Sequence, residues 1–371
     1  MLSLLGNLFA NGQTSVRYEQ LPELPPKNGK PNPGVAGAFA GVSHGVLLLA
    51  GGANFPDGYP WQNGSKVWQS TICILAQAGK STQWQTVGSL EKPLAYGASV
   101  GWNERIICLG GNDATQCYAD VFTLTWDAKT QQIRIETLPK LPQAVANLSA
   151  SVLGDELYAF GGESDRGPGR SLFVLNLLQP EKGWQLRADL PGPARAFTAL
   201  VSLPQAANPS LFVLGGRQTI ANQTTVFGDA YQYHANRNEW TKLPDLPVAV
   251  AAHEAASFDM NQLVVFGGDD GIRLRQIEEL NNRIRQQPDD PEKGDWINQR
   301  NTLQAKHPGF RREIWQYQTD TGRWSVIGQM PFPAPVTTTA VRWGKGFVLP
   351  SGEVSPGVRT PAVRLLTPFN L

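Results

Sequence analysis

An apolar run closed by two glycines recurs five times along this chain. The copies are LLLAGG at Leu47–Gly52, IICLGG at Ile106–Gly111, LYAFGG at Leu157–Gly162, LFVLGG at Leu211–Gly216 and LVVFGG at Leu263–Gly268. Counted from Gly51 through Gly110, Gly161, Gly215 and Gly267, the spacings are 59, 51, 54 and 52 residues. A length of 371 residues would otherwise suggest two or three domains. A period near 50 implies small units that bury their faces against one another instead. A sixth copy reads GFVLPSGE, Gly346–Glu353, with Ser351 in place of the first glycine and a carboxylate directly after the second.

Each unit reads as four short strands separated by turn residues. The first is rich in small residues, as in VAGAFAGVS (Val35–Ser43) and AAHEAASF (Ala251–Phe258), which suits strands converging on a crowded axis. The second is the apolar run, continuous enough to be buried on both faces. The third alternates, as in STICILA (Ser70–Ala76). The fourth carries an aromatic: Trp84, Trp184, Trp240 or Trp324, with an apolar but non-aromatic QIRIETLP stretch in the second unit. The double glycine and trailing aromatic resemble the kelch motif. The resemblance implies an all-β fold, a six-bladed kelch-type β-propeller over residues 15–371. The sixth unit lacks its fourth strand at the C-terminus, and SVRYEQLPELP (Ser15–Pro25) resembles the missing piece. The N-terminal strand is therefore expected to complete the C-terminal blade, which removes two open edges.

The fifth unit is too long, with 56 residues from Gly268 to Trp324 against 22 from Gly162 to Trp184. Ile277, Leu280 and Ile284 are helically spaced, QQPDDPEKG interrupts, and a second helical stretch follows near Trp296–Lys306. This predicts a helical hairpin inserted over 272–309, either a packing ornament or a lid over the central mouth.

Charged residues make up only 17% and the net charge is +1, so no basic stripe points to nucleic acid. No apolar run approaches the roughly 20 residues of a membrane helix. The three cysteines, Cys73, Cys108 and Cys117, allow one disulfide at most, and Cys108 reads as a small core hydrophobe. No CxxC occurs and the four histidines are scattered, so no metal site is expected. Residues 1–14 read either as the remnant of a secretory signal, which gives a periplasmic or secreted location, or as a disordered tail. Nothing in the sequence specifies an oligomeric state.

Propeller ligands sit at the axis, at one mouth. Two sets of residues are candidates to reach it. One follows the Gly-Gly pairs: Asn54, Asn112/Asp113, Glu163, Arg217, Asp269/Asp270 and Glu353. The other lies on or before the innermost strands: Tyr96, Asn147, Arg195 and His253. No GxSxG, P-loop or GxGxxG occurs. Glu353 with Arg359 is the pair of most interest. A carboxylate can take a hydroxyl proton and an arginine can hold a substrate carboxylate, but the same pair can simply tie a loop.

The stretch Gly352, Glu353, Pro356, Gly357, Arg359 has the form Gly-Glu-x-x-Pro-Gly-x-Arg and resembles the N-acetylneuraminate epimerase family of sialic acid mutarotases. PNPGVAGAFAG followed by AGGANF (Pro31–Phe55), AYGASVGWNERIICLGG (Ala95–Gly111), the fifth-unit insertion, the Pro-x-Arg at Arg195 and His253 extend the resemblance over nearly the whole chain. The order of units is rotated, as in a cyclically permuted relative, which a closed ring tolerates. The resemblance implies interconversion of sugar-acid anomers, with a small-molecule sugar acid as partner and neither metal nor cofactor. Glu353 falls on the family's proton acceptor and Arg359 on its partner, expected to hold the C1 carboxylate; Arg195, His253, Asn147, Tyr96 and Asn54 are supporting substrate-binding candidates. The rival readings are a non-catalytic propeller that binds a glycan or protein, and a copper radical oxidase, which would need more His and Tyr ligands than this chain arranges.

Overall fold

Alternation along each second strand sets the architecture. In the run Val46–Ala50, Leu47 and Leu49 pack with Val341, Val348 and Val363, whereas Leu48 and Ala50 pack with Ile106, Cys108 and Leu124. Successive side chains of a strand point to opposite faces, so a run that is apolar throughout must be covered on both. Stacking six such sheets side by side around an axis does this, and each of the six apolar clusters lies between two neighbouring sheets. Each fully buried aliphatic side chain there contributes roughly 1.5–3 kcal/mol.

The computed structural model describes residues 14–27, 29–78, 81–203, 209–259 and 261–370. It is a six-bladed β-propeller of four-stranded antiparallel blades. Blades 1 to 5 span residues 39–89, 98–138, 149–186, 199–243 and 254–329. Blade 6 takes Val341–Trp343, Gly346–Pro350 and Val363–Asn370 from the C-terminus and Thr14–Leu21 from the N-terminus. The closing pair runs in unbroken register from Thr14 opposite Asn370 to Leu21 opposite Val363. Closure by the N-terminal strand is thus as the sequence predicts; residues 1–13, on which most of the signal reading rests, lie outside the described residues.

The outer aromatics fasten blade to blade. The indole N–H of Trp84 donates to the Pro22 carbonyl (2.8 Å), that of Trp184 to Pro139 (2.9 Å), Trp240 to Ala188 (2.8 Å) and Trp324 to Pro244 (3.1 Å). Each acceptor follows the outer strand of the preceding blade. Ile135 and Tyr18 hold the equivalent register in blades 2 and 6. The three cysteines are free, so the one disulfide the sequence allowed does not form; Cys108 is buried between blades 1 and 2.

At the axis, the six segments entering the innermost strands are joined in a ring. The N–H of Tyr96 donates to Gly37 (2.7 Å), Asn147 to Tyr96 (2.7 Å), Phe197 to Asn147 (3.0 Å), Ala252 to Phe197 (2.8 Å), Thr337 to Ala252 (3.4 Å) and Gly37 to Thr337 (2.6 Å). All six residues have left-handed φ, between 49° and 67°. Five of them are not glycine, and each left-handed residue costs on the order of 1 kcal/mol. The ring offsets this strain with one backbone hydrogen bond per blade. Below it runs a channel of about 810 Å³, lined by small and hydroxylated side chains of the innermost strands such as Gly41, Ser99, Ala150, Ala199, Ala255 and Thr339.

The blade 5 excess forms helices α1 (Ile272–Gln286) and α2 (Lys293–Ala305). Ile277, Leu280 and Trp296 are their buried residues. The pair bridges several blades at the Gly-Gly end. Glu278 of α1 accepts from the Thr224 N–H (3.0 Å) and hydroxyl (2.5 Å) of blade 4. α2 touches the Pro60–Gln62 turn of blade 1, and the exit at Phe310 donates to Val354 of blade 6 (3.1 Å).

Deleting residues 1–20 removes a full outer strand together with Tyr18, whose ring packs edge-on against Phe332 at 5.7 Å. The expected loss is several kcal/mol, seen as a fall in Tm on the order of 10 °C. A truncated protein that melts with the full chain in calorimetry would refute the closure.

Candidate active site

The position directly after the glycine pair is fixed in the same way in all six blades. Ala53, Asn112, Glu163, Arg217, Asp269 and Glu353 each form an isolated antiparallel bridge, to Ala36, Ala95, Ala146, Ala196, Ala251 and Val336 respectively. Each partner immediately precedes a member of the axial ring. Six equivalent positions are thereby set around the axis at the Gly-Gly end of the ring, and the residues that fill them do not line the channel below it. The glycine pair makes this possible: both glycines have positive φ, and a Cβ on Gly51 would sit 2.3 Å from the Leu94 carbonyl oxygen.

In blade 6 Ser351 stands in the first glycine's place at φ 67°. Its buried hydroxyl accepts from the Val35 N–H (2.8 Å) and lies 2.7 Å from the Thr360 carbonyl oxygen. The departure at 351 is therefore structural, since it ties blade 6 to the start of blade 1. At 353 a carboxylate is not itself a departure, since Glu163 and Asp269 hold the same place; what differs is the hairpin that Glu353 opens. Glu353 opens the hairpin Glu353–Ser355/Val358–Arg359, whose register sets it opposite Arg359. Its Oε1 accepts from Arg359 Nη1 (2.7 Å) and from the Gly357 N–H (2.6 Å). Oε2 accepts nothing from any described residue, and the side chain is 17% exposed.

Arg359 is more enclosed, with a side chain only 3% exposed. Besides Glu353 it donates through Nη2 to the Tyr96 hydroxyl (3.2 Å) and through Nε toward the Ala53 carbonyl (3.4 Å), with Phe55 facing the guanidinium at 4.9 Å. The structure thus unites Glu353, Arg359 and Tyr96. Arg359, expected to hold a substrate carboxylate, already directs three of its five N–H groups at Glu353, Tyr96 and Ala53, an arrangement that favours a part in positioning Glu353.

The other candidates fall into two classes. Asn147, a ring member, lines the channel and donates to Glu163 Oε2 (3.0 Å). Asn54, Arg195 and His253 are buried. Asn54 donates to the Gly34 carbonyl (2.9 Å) and accepts from Gln69 (3.1 Å). Arg195 is saturated by Asp229 (2.6 and 2.9 Å) and the carbonyls of Gly215 and Pro193. Each holds loops in place and presents nothing to the mouth. His253 has no well-formed hydrogen bond at either nitrogen. Burial pushes its pKa down to about 4, against a smaller opposing pull from the nearby Leu214 carbonyl.

Two further groups belong here: Asp269, which the sequence placed among the residues after the glycine pairs but not among the substrate-binding candidates, and His307, which it did not single out. Burial, chiefly, raises the Asp269 carboxyl above the usual carboxylate range; Arg217 opposes this, while Asp270 and Glu353 add to it. His307, where α2 ends, has its pKa lowered by burial and Arg273 while Asp270 and Glu353 pull the other way, so the insertion brings an imidazole within electrostatic reach of Glu353. The signal for Asp269 was present: it holds the same offset from its Gly-Gly pair as Glu353, whereas Asn54 lies one residue further on.

A model of the N-acetylneuraminate epimerase family matches residues 7–133 and 138–368. The chain belongs to that family. It is 26% identical over 231 residues to a kelch domain-containing protein of Vibrio cholerae, covering 62% of this chain and 63% of that one. It is 39% identical over 124 residues to the N-acetylneuraminate epimerase of Yersinia enterocolitica, 30% of this chain and 31% of that one. With the N-acetylneuraminate epimerase of Brucella melitensis it shares 26% over 236 residues, 62% and 59%. These matches thus span from about a third to under two thirds of the relatives' own length. The solved structure of YjhT superposes with a TM-score of 0.65 at 14% identity, over 95% of this chain and 99% of that one, a likeness of fold.

Because the folded pKa of His253 lies below the ordinary 6.5, the unfolded chain binds the extra proton. Its contribution is whole above pH 6.5 and is lost as the pH falls toward 4, by about 3 kcal/mol in all. Denaturant titrations at pH 7 and pH 4.5 should show that decline in the wild type and a smaller one in His253→Leu. Equal declines would remove His253 as its source.

Proposed function

We propose that this chain is a mutarotase that interconverts the α- and β-anomers of N-acetylneuraminate or a related sugar acid. The observation that carries the reading is the free Oε2 of Glu353, beside an oxygen already fixed by Arg359 and Gly357. Family membership supports the substrate class. In the opening step Oε2 takes the proton of the anomeric hydroxyl. The carbonyl forms as the bond from the anomeric carbon to the ring oxygen breaks, and Glu353 returns the proton to that oxygen. Hydroxyl and ring oxygen share one carbon, so a single carboxyl can serve both. Rotation presents the carbonyl's other face and the same transfers reclose the ring. Atoms and protons balance with no redox step.

General acid–base assistance of this kind contributes about 10²–10⁴-fold. Glu353→Gln should lower anomer exchange, followed by NMR, by that factor while the circular dichroism spectrum stays native. Full exchange in this variant would remove Glu353 from the mechanism. Arg359→Lys keeps the charge but loses the geometry that fixes Oε1. It should slow exchange about tenfold or more, and an unchanged kcat would make Arg359 a mere loop tie.

Two further readings accompany this proposal. A cyclic permutation is supported by the partial spans of the sequence matches. Rotating the sequence by whole blades should extend them, and spans that stay short would count against it. A periplasmic or secreted location is supported by the weakly apolar opening MLSLLGNLFANG, and cell fractionation tests it.

A further inference from the structure

If Arg359 serves Glu353, a sugar acid's carboxylate needs another receptor. The arginines around this end of the propeller differ in what their forks already hold. Arg195 grips Asp229 with both Nη atoms, Arg311 is shared between Asp270 (3.2 Å) and Glu313 (2.7 Å), and Arg359 holds Glu353 and Tyr96. Arg217 makes no side-chain hydrogen bond or ion pair with any described residue, and its Nε is buried without a partner. Leaving a buried charged donor unmade is costly unless something completes it.

Its placement is not accidental to the fold. Arg217 occupies in blade 4 the position that Glu353 occupies in blade 6, held by the paired bonds between its backbone and Ala196, both 2.9 Å. Its guanidinium lies 3.9 Å from the ring centroid of Phe197. Phe197 is itself a member of the axial hydrogen-bonded ring and lines the channel mouth. The guanidinium is thereby held against an aromatic face, a pre-organised planar fork. Asp269, between the two in ring order, feels the charges of both Arg217 and Glu353 yet lies beyond ion-pair contact with Arg217. An unfilled cationic fork and an unfilled carboxylate oxygen thus flank one blade position.

We infer that Arg217 is the carboxylate receptor of this mouth, the specificity-determining residue that selects acidic over neutral sugars. The inference rests on the mutarotase reading and deepens it. A planar carboxylate accepts two parallel N–H bonds from such a fork, and in a 2-keto sugar acid it is bonded to the anomeric carbon on which Glu353 acts.

The test compares binding of N-acetylneuraminic acid and its C1 methyl ester, by calorimetry, with wild type, Arg217→Gln and Arg217→Lys, alongside NMR anomer exchange of the acid. Loss of a charge-assisted bidentate contact corresponds to roughly 10–100-fold in affinity. Arg217→Gln should weaken the acid by that factor and leave the ester's affinity within about twofold, erasing the wild-type preference; Arg217→Lys should fall between. Exchange and acid preference that persist in both variants would overturn the assignment and leave the mutarotase intact. A wild type that neither binds nor exchanges the acid would overturn both, a pattern distinct from the last.

Discussion

Six backbone hydrogen bonds around the axis hold this molecule in the form its chemistry needs. Each joins a left-handed residue of one blade to the next, from Gly37 through Tyr96, Asn147, Phe197 and Ala252 to Thr337 and back. Strain at single positions persists only where the surroundings over-determine it. Here the overdetermination comes from the apolar strands outside the ring, packed on both faces, and from the N-terminal strand that shuts it. Remove the closure and the ring has a gap; remove the ring and no shared geometry remains at the mouth.

On that symmetric frame the function is a matter of which side chain occupies each of six equivalent places. Blade 1 contributes Ala53, whose carbonyl steadies Arg359; blade 2 contributes Asn112, bonded to Trp68 at 3.1 Å. Blades 4 and 6 contribute Arg217, whose fork has no hydrogen-bond partner among the described residues, and Glu353, with one oxygen to spare; Glu163 of blade 3 and Asp269 of blade 5 each keep a spare oxygen as well. The scaffold residues repeat because packing repeats. The chemical residues do not, because a ligand has no sixfold symmetry.

This explains what could be read in the sequence. Blade number, closure, the strand aromatics and the helical insertion followed from periodicities that packing enforces, and α1 begins at Ile272, where the insertion was expected to start. Glu353 stood out through the stretch Gly352–Arg359, since Glu163 and Asp269 share its offset from the glycine pair. Arg195 and Asn54 show that a polar residue near an axis can equally be a buried tie: Asp229 and the Gly34 carbonyl take their hydrogen bonds, and no pattern in the sequence marks those partners. For Arg359 the partner, Glu353, was legible in the sequence, but not how many of its donors that partner and Tyr96 would take. Pattern gives placement; it does not give which hydrogen bonds are already spent.

The helical insertion sits where these two levels meet. It leaves blade 5 and leans on the hairpin of blade 4, the hairpin of blade 6 and the turn at Pro60–Gln62, so it joins three blades on the side that carries the Gly-Gly pairs. The most direct measurement on the whole account is a crystal structure of the Glu353→Gln variant with N-acetylneuraminate. The account predicts the sugar at the Gly-Gly mouth, its anomeric oxygen about 2.6–3.2 Å from the side-chain amide of residue 353. A sugar bound at the opposite end of the channel, or on the outer rim of the blades, would contradict it.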